Sequence, residues 1–242
     1  MGVQVGCCGF GMARGRYYRR FSLVEVQQTF YQPPRVRTLE RWRAEAPEHF
    51  AFTLKAWQLI THEASSPTYR RLREPIPPRE RGRYGSFRAN PQVRRAWRTT
   101  LACARALEAP VVVFQCPAAF TPTGEHLDDM YRFFEDAWAD ADDLIFAFEP
   151  RGRWRAAQIK AVCRDLDLVH IVDPLKDAPR HGRARYYRLH GLTGYRYRHT
   201  RADLERLAEA CGGRKRTYCL FNNMTMADDA ARFLRVLEET GR

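Results

Sequence analysis

The sequence predicts an α/β fold of the TIM, (β/α)8-type, barrel class. Three observations lead there. Eight short apolar segments read as strands, amphipathic helical patterns separate most of them, and nearly every strand ends in a polar or charged residue. Strands alternating with helices imply a parallel sheet. Eight such units in 242 residues match a barrel of ordinary size, whose active site forms where the carboxyl ends of the strands meet. An open doubly wound sheet would not need polar ends on every strand.

The first strand is VQVGCC, residues 3–8. The connection after it, GFGMARGRYYRRFS, is short for a helix with two loops, so the first helix is expected to be reduced to a turn or two. The second strand, LVEVQQ (23–28), alternates: Val24 and Val26 face the surrounding helices, whereas Glu25 and Gln27 point into the barrel mouth. Polar groups buried there need partners, either one another or a ligand. The helical pattern TLERWRAEA leads to the third strand, FAFTLK (50–55), which ends in Lys55.

A long basic loop follows, and residues 63–89 are expected to form a lid-like insertion. It carries Arg70, Arg71, Arg73, Arg79, Arg81, Arg83 and Arg88 with Tyr69, Tyr84 and Phe87 interleaved. Prolines at 75, 77 and 78 argue against a continuous helix. After VRRAWRTTLACARALEA comes the strand VVVFQC (111–116) with Gln115, and after EHLDDMYRFFEDAWADA the strand LIFAFE (144–149) with Glu149 and, just beyond, Arg151. The pattern WRAAQIKAVCRDL precedes VHIVD (169–173), which ends at Asp173. YYRLH (186–190) carries Arg188 and His190, and TYCLFN (217–222) runs into Asn222 and Asn223. RADLERLAEAC and ADDAARFLRVLEET supply the last two helices. Without an internal repeat or a Gly/Ser linker, residues 1–242 read as a single domain.

Composition narrows the class. Net charge is +13 at a pI near 9.8, and 37 of the 41 basic residues are arginine. Arginine offers a planar fork suited to phosphate, and a field of this sign draws nucleic acid or another polyanion. Seven cysteines without a C-x-x-C pair exclude a disulfide framework and a structural zinc motif. No apolar run is long enough to cross a membrane, and the start MGVQVGCCGF lacks a secretory pattern. A cytoplasmic protein without a membrane partner is expected.

The blocks VEVQQTFYQPP, FTLKAWQLITH, FQCP, FEPRGRW, IVDP, YYRLHG and FNNMTMADDA occur in order. Together they resemble the YecE-like family, domain of unknown function 72, over nearly the whole chain. The resemblance implies a TIM barrel. It also carries the family's polar positions onto Glu25, Thr29, Tyr31, Lys55, His62, Gln115, Glu149, Arg151, Asp173, Arg188, His190, Asn222 and Asn223. Gln27 stands where the family commonly has asparagine.

Three chemistries fit these residue types. In the first, a hydrolase or nuclease-like enzyme acts on a phosphate-bearing substrate, which is a small molecule or a nucleic acid. Its phosphate would be held by Lys55, Arg151 and Arg188, with Gln27, Tyr31, His62, Gln115, Asn222 and Asn223 lining the pocket. Glu25, Glu149 and Asp173 supply carboxylates, Glu25 or Glu149 as the base that activates water, and His190 protonates a leaving oxygen. A divalent metal is a candidate cofactor, with Glu149, Asp173 and His190 as an O, O, N ligand set. In the second, Glu25 and Glu149 act as a glycosidase pair. In the third, Lys55 is a Schiff-base nucleophile, unless it pairs with Glu25. A non-enzymatic nucleic-acid-binding barrel stands outside all three.

Overall fold

The structure, a computed structural model, describes residues 2–241. Its eight parallel strands close into a barrel in sequence order: β1 Val3–Cys8, β2 Leu23–Val26, β3 Ala51–Lys55, β4 Val111–Gln115, β5 Ile145–Glu149, β6 Val169–Val172, β7 Arg185–Leu189 and β8 Thr217–Phe221. The expected barrel is what forms. Outside it run α1 Arg14–Arg20, α2 Gln28–Tyr31, α3 Val36–Glu45, α4 Gln58–Thr61, α5 Pro91–Ala106, α6 Gly124–Asp140, α7 Ala156–Asp165, α8 Arg201–Cys211 and α9 Met226–Glu239.

Two apolar layers follow from the period-2 pattern of the strands. Val24, Val26, Phe52, Leu54, Val112 and Phe114 face outward and pack with the helices. Leu23, Val111, Val113, Ala147, Ile171, Tyr186 and Leu220 face inward and fill the barrel floor. Glu25 has the parity of Leu23, and Arg188 that of Tyr186, so both continue the inward rows upward.

Three connections depart from the simple unit. The first helix is short, as its sequence requires: α1 has seven residues. The strand expected over 23–28 stops at Val26, because α2 begins at Gln28 and turns Gln27 across the mouth. Between β6 and β7 there is no helix: residues 173–184 form a loop that begins with a turn, closed by Lys176 and Asp177 N–H groups donating to Asp173 O.

The proline-rich loop forms two 3₁₀ turns, Pro67–Arg71 and Pro78–Arg83, instead of a helix. Its far end is pinned. Gly85 and Phe87 donate N–H bonds to Leu59 and Ile60 carbonyls, and Phe87 is buried among Phe114, Phe120, Phe133 and Phe134. Gly85 has φ +83°, and a Cβ there would run into the His62 carbonyl, so glycine is required.

Candidate functional site

At the carboxyl end of the strands the inward rows become charged. Glu25 (0% exposed) and Arg188 (1% exposed) meet across the ring, with Arg188 Nη2 3.0 Å from Glu25 Oε1. Arg188 Nη1 donates to Glu149 Oε2 and, at 3.2 Å, to Gln115 Oε1. One guanidinium therefore bridges two carboxylates from β2 and β5. The remaining Glu25 sites are also taken: Tyr186 Oη donates to Oε2 at 2.8 Å, Gln27 Nε2 donates to Oε1, and Thr53 backs Tyr186 at 2.7 Å. Removing one partner from such a buried pair is strongly destabilising.

Above this floor lies a more open shell. Arg151 Nη2 donates to Glu149 Oε1 at 3.1 Å, and its side chain is 42% exposed. His190 Nε2 is 3.4 Å from the same oxygen and 3.3 Å from Arg151 Nη2. Asn222 Nδ2 lies 3.1 Å from His190 Nδ1, so the ring is held between Asn222 on one side and Glu149 and Arg151 on the other. Asp173 accepts from the backbone N–H of His190 at 3.4 Å and of Leu175 at 3.1 Å, holding the turn from which His190 projects. Burial alone would raise the Glu149 carboxyl. Arg188, with His190 and Arg151 behind it, overrides that and holds it well below the usual carboxylate range.

Lys55 differs from its neighbours. It is 4% exposed and its Nζ lies 3.7 Å over the Phe30 ring, yet among the described residues the ammonium makes no hydrogen bond and no ion pair. The expected pairing with Glu25 is absent, because Arg188, Tyr186 and Gln27 occupy that carboxylate. Burial, then repulsion from Arg188, pulls the Lys55 pKa down to about 7 against the opposing pull of Glu25 and Glu149.

The structure brings Glu25, Gln27, Gln115, Glu149, Arg151, Asp173, Arg188, His190 and Asn222 into one hydrogen-bonded network, with Lys55 beside it. Other sequence candidates lie apart. His62 is buried, paired with Thr61 Oγ1 at 2.8 Å, and burial followed by the nearby Lys55 charge lowers its pKa to about 4, so it is a neutral ring and no phosphate cation. Asn223 belongs to a second network, donating to Tyr197 O and Asp229 Oδ2 behind the β7 and β8 loops. Tyr31 sits on the rim beneath Arg71, whose guanidinium is 4.2 Å from its ring centre.

Arg188 is likewise placed as a buried lock instead of a free phosphate ligand, since both its terminal nitrogens face carboxylates. Gly191 has φ +83° and packs against Tyr197, where a Cβ would run into the Gly194 carbonyl. The metal set Glu149, Asp173 and His190 does not fit: Glu149 faces two guanidiniums, Asp173 is engaged by backbone, and the described residues contain no group of three His, Cys, Asp or Glu able to hold an ion.

Sequence reasoning missed Thr53, Tyr186, Phe30 and the His199–Asp229 pair, in which Nδ1 is 3.1 Å from Oδ2. The alternation Tyr186, Arg188, His190 could have exposed Tyr186; nothing local marks the others.

A cleft of about 640 Å³ opens elsewhere, beside α5 and α6. Its Arg88 and Arg94 are matched by Glu63 and Asp136, whereas Arg95 and Arg98 meet no carboxylate among the described residues, and none of the network at the mouth lines it. Among the described residues no helix is long and apolar enough to cross a membrane.

Comparisons agree with this architecture. A DUF72 family protein from Enterococcus faecalis V583 has 17% identity and a TM-score of 0.75, covering 98% of this chain and 96% of its own. A DUF72 family protein from Thermotoga maritima MSB8 has 17% identity and a TM-score of 0.69, covering 98% of this chain and 100% of its own. A xylose isomerase domain containing protein from Salmonella typhimurium LT2 has 12% identity and a TM-score of 0.58, covering 100% and 98%. No curated protein matches the chain. The family model described as "Protein of unknown function DUF72" matches residues 14–242, and the chain belongs to that family.

Proposed function

We propose that the barrel mouth is the active site of a hydrolase acting on a phosphate-bearing substrate. The observation that carries this reading is Lys55, a buried ammonium with no anion of its own, beside the half-exposed Arg151. With a pKa of about 7, Lys55 is only partly charged near neutrality. A dianion arriving beside it restores the proton, so binding and protonation reinforce one another. Arg151 supplies a directional fork for the phosphate oxygens.

His190 is the accessible proton carrier. Its ring is held in the open shell of the mouth, with Asn222 at Nδ1 and the Glu149 and Arg151 side chains at Nε2. Proton donation to a leaving ester oxygen by such a group contributes roughly 10²–10⁴-fold. Glu149 acts as a positioning residue, and Glu25 with Arg188 as the rigid floor beneath. The paired-carboxylate glycosidase scheme lacks an accessible second carboxylate, because Glu25 is fully enclosed.

A second reading rests on the same unpaired amine. A lysine with its pKa lowered to about 7 by burial can attack a carbonyl as the neutral amine, forming an imine with loss of water. Turnover of chromogenic phosphate monoesters and diesters, with and without divalent ions, separates the two. The hydrolase reading expects hydrolysis that falls by roughly 10²-fold or more in His190→Asn. Absence of hydrolysis with every ester, together with borohydride trapping of a simple aldehyde on Lys55, would replace it with the imine reading.

A further inference from the structure

The arginines of the chain are not distributed evenly between matched and unmatched surroundings. On the helices nine of seventeen are paired with a carboxylate, among them Arg14 with Glu45, Arg94 with Asp136, Arg105 with Asp143, and Arg201 with Glu205 and Glu239. The loops that leave β3, β5 and β7 are different. Residues 56–90, 150–155 and 190–200 together hold twelve arginines against three glutamates, most of the net charge of +13. Among the described residues only Arg88 and Arg151 of these twelve meet a carboxylate. Like charges held together without counterions raise the free energy of the folded chain, so a surface of this kind is matched to an external anion.

Because β3, β5 and β7 are spaced around one closed ring, their loops surround the mouth on three sides. The rim also carries an exposed apolar platform. Tyr195 is 58% exposed and Met224 64% exposed, and the Met224 N–H donates to Tyr195 O at 2.9 Å, holding the β7 and β8 loops together there. Arg196 and Arg198 flank the tyrosine in sequence.

We propose that this rim docks a single-stranded nucleic acid, its phosphates on the unpaired arginines and a base stacked on Tyr195, with the strand passing over the mouth. A free π-face selects a single strand, since the bases of a duplex are already stacked on one another. The proposal rests on the phosphate reading of the mouth and names its substrate class.

The test is fluorescence anisotropy with an end-labelled single-stranded oligonucleotide of about 12 nucleotides, within the span such sites cover. Each neutralised phosphate contributes a slope of about −0.7 to log K against log salt. Arg79→Ala/Arg81→Ala/Arg83→Ala should weaken binding and make that slope shallower by about 2. Tyr195→Ala should weaken binding roughly 5- to 100-fold, the loss of one stacking contact, with the slope unchanged. Arg105→Ala, on a helix and paired with Asp143, should bind as the wild type does. Binding of the same-sequence duplex or of heparin as tight as that of the single strand, or an unchanged affinity in Tyr195→Ala, overturns the proposal. Loss of ester hydrolysis as a property of the wild type, with strand binding intact, would remove the hydrolase reading and leave the docking surface standing.

Discussion

Replacing Lys55 by methionine should make the protein more stable and less active. The folded-state pKa is lowered from 10.5 to about 7, chiefly by burial. At about 1.4 kcal/mol per pH unit, that displacement corresponds to about 5 kcal/mol. The sign follows from proton binding. Between pH 7 and 10.5 the unfolded chain holds the proton that the folded chain has released, so wild-type stability climbs with pH in that window. Below pH 7 both states carry the proton and the full cost of burying the charge is present. Methionine has nearly the same length and no charge. Lys55→Met should therefore be the more stable protein at pH 6 by several kcal/mol, up to about 5, with the gap closing as pH rises toward 10. Urea denaturation of both proteins from pH 6 to 10 measures this. The variant should also lose roughly 10- to 100-fold in kcat/KM for phosphate esters, the equivalent of one hydrogen bond to a charged group. A variant less stable than wild type at pH 6 would show that the amine has a partner in the fold, and the reasoning about its idleness would fail.

Three further outcomes follow from the geometry. Arg188→Met removes the cation shared by Glu25 and Glu149 and should cost roughly 3–5 kcal/mol in urea denaturation; a loss below about 1 kcal/mol would mean the two carboxylates find other counterions. Asp229 is pushed up by burial, but bonds from His199, Asn223 and Thr225 hold its pKa at about 2. Its contribution of about 2.5 kcal/mol is present above pH 4 and lost as pH falls through 2, so Asp229→Asn should flatten the acid side of the stability curve in that window. Gly85→Ala places a Cβ against the His62 backbone at φ +83° and should cost about 2 kcal/mol or more. Limited proteolysis would register the change as faster cutting within residues 63–89, and an unchanged rate would show that the loop is pinned elsewhere.

The barrel was legible because its signals are local. Apolar runs with period 2, helical patterns between them and polar strand ends each need only a few neighbouring residues to be read. The inward direction of Glu25 followed from the same alternation. What escaped were relations between distant positions. Glu25 and Lys55 look like natural partners on adjacent strands, but Arg188, more than 160 residues away in the chain, has the reach to bridge both carboxylates and displaces the lysine. Which of several cations is occupied is decided by this competition across the ring, which no short window contains. His62 was misjudged for a related reason: its neutrality comes from burial beside Phe30 and from the Lys55 charge. Asn222 and Asn223 are adjacent in sequence and yet serve different networks, because the chain turns between them after β8. The one-turn helices α2 and α4 also escaped, being too short to show a period.

The most direct measurement is the ionisation of Lys55 itself. With lysine at only positions 55, 160, 176 and 215, selective isotope labelling gives four side-chain amine signals to follow by NMR through a pH titration, first without and then with inorganic phosphate. One signal, missing in Lys55→Met, should titrate near pH 7 and move upward when phosphate is added. Four signals that all titrate near 10.5 and ignore phosphate would contradict the account at its root.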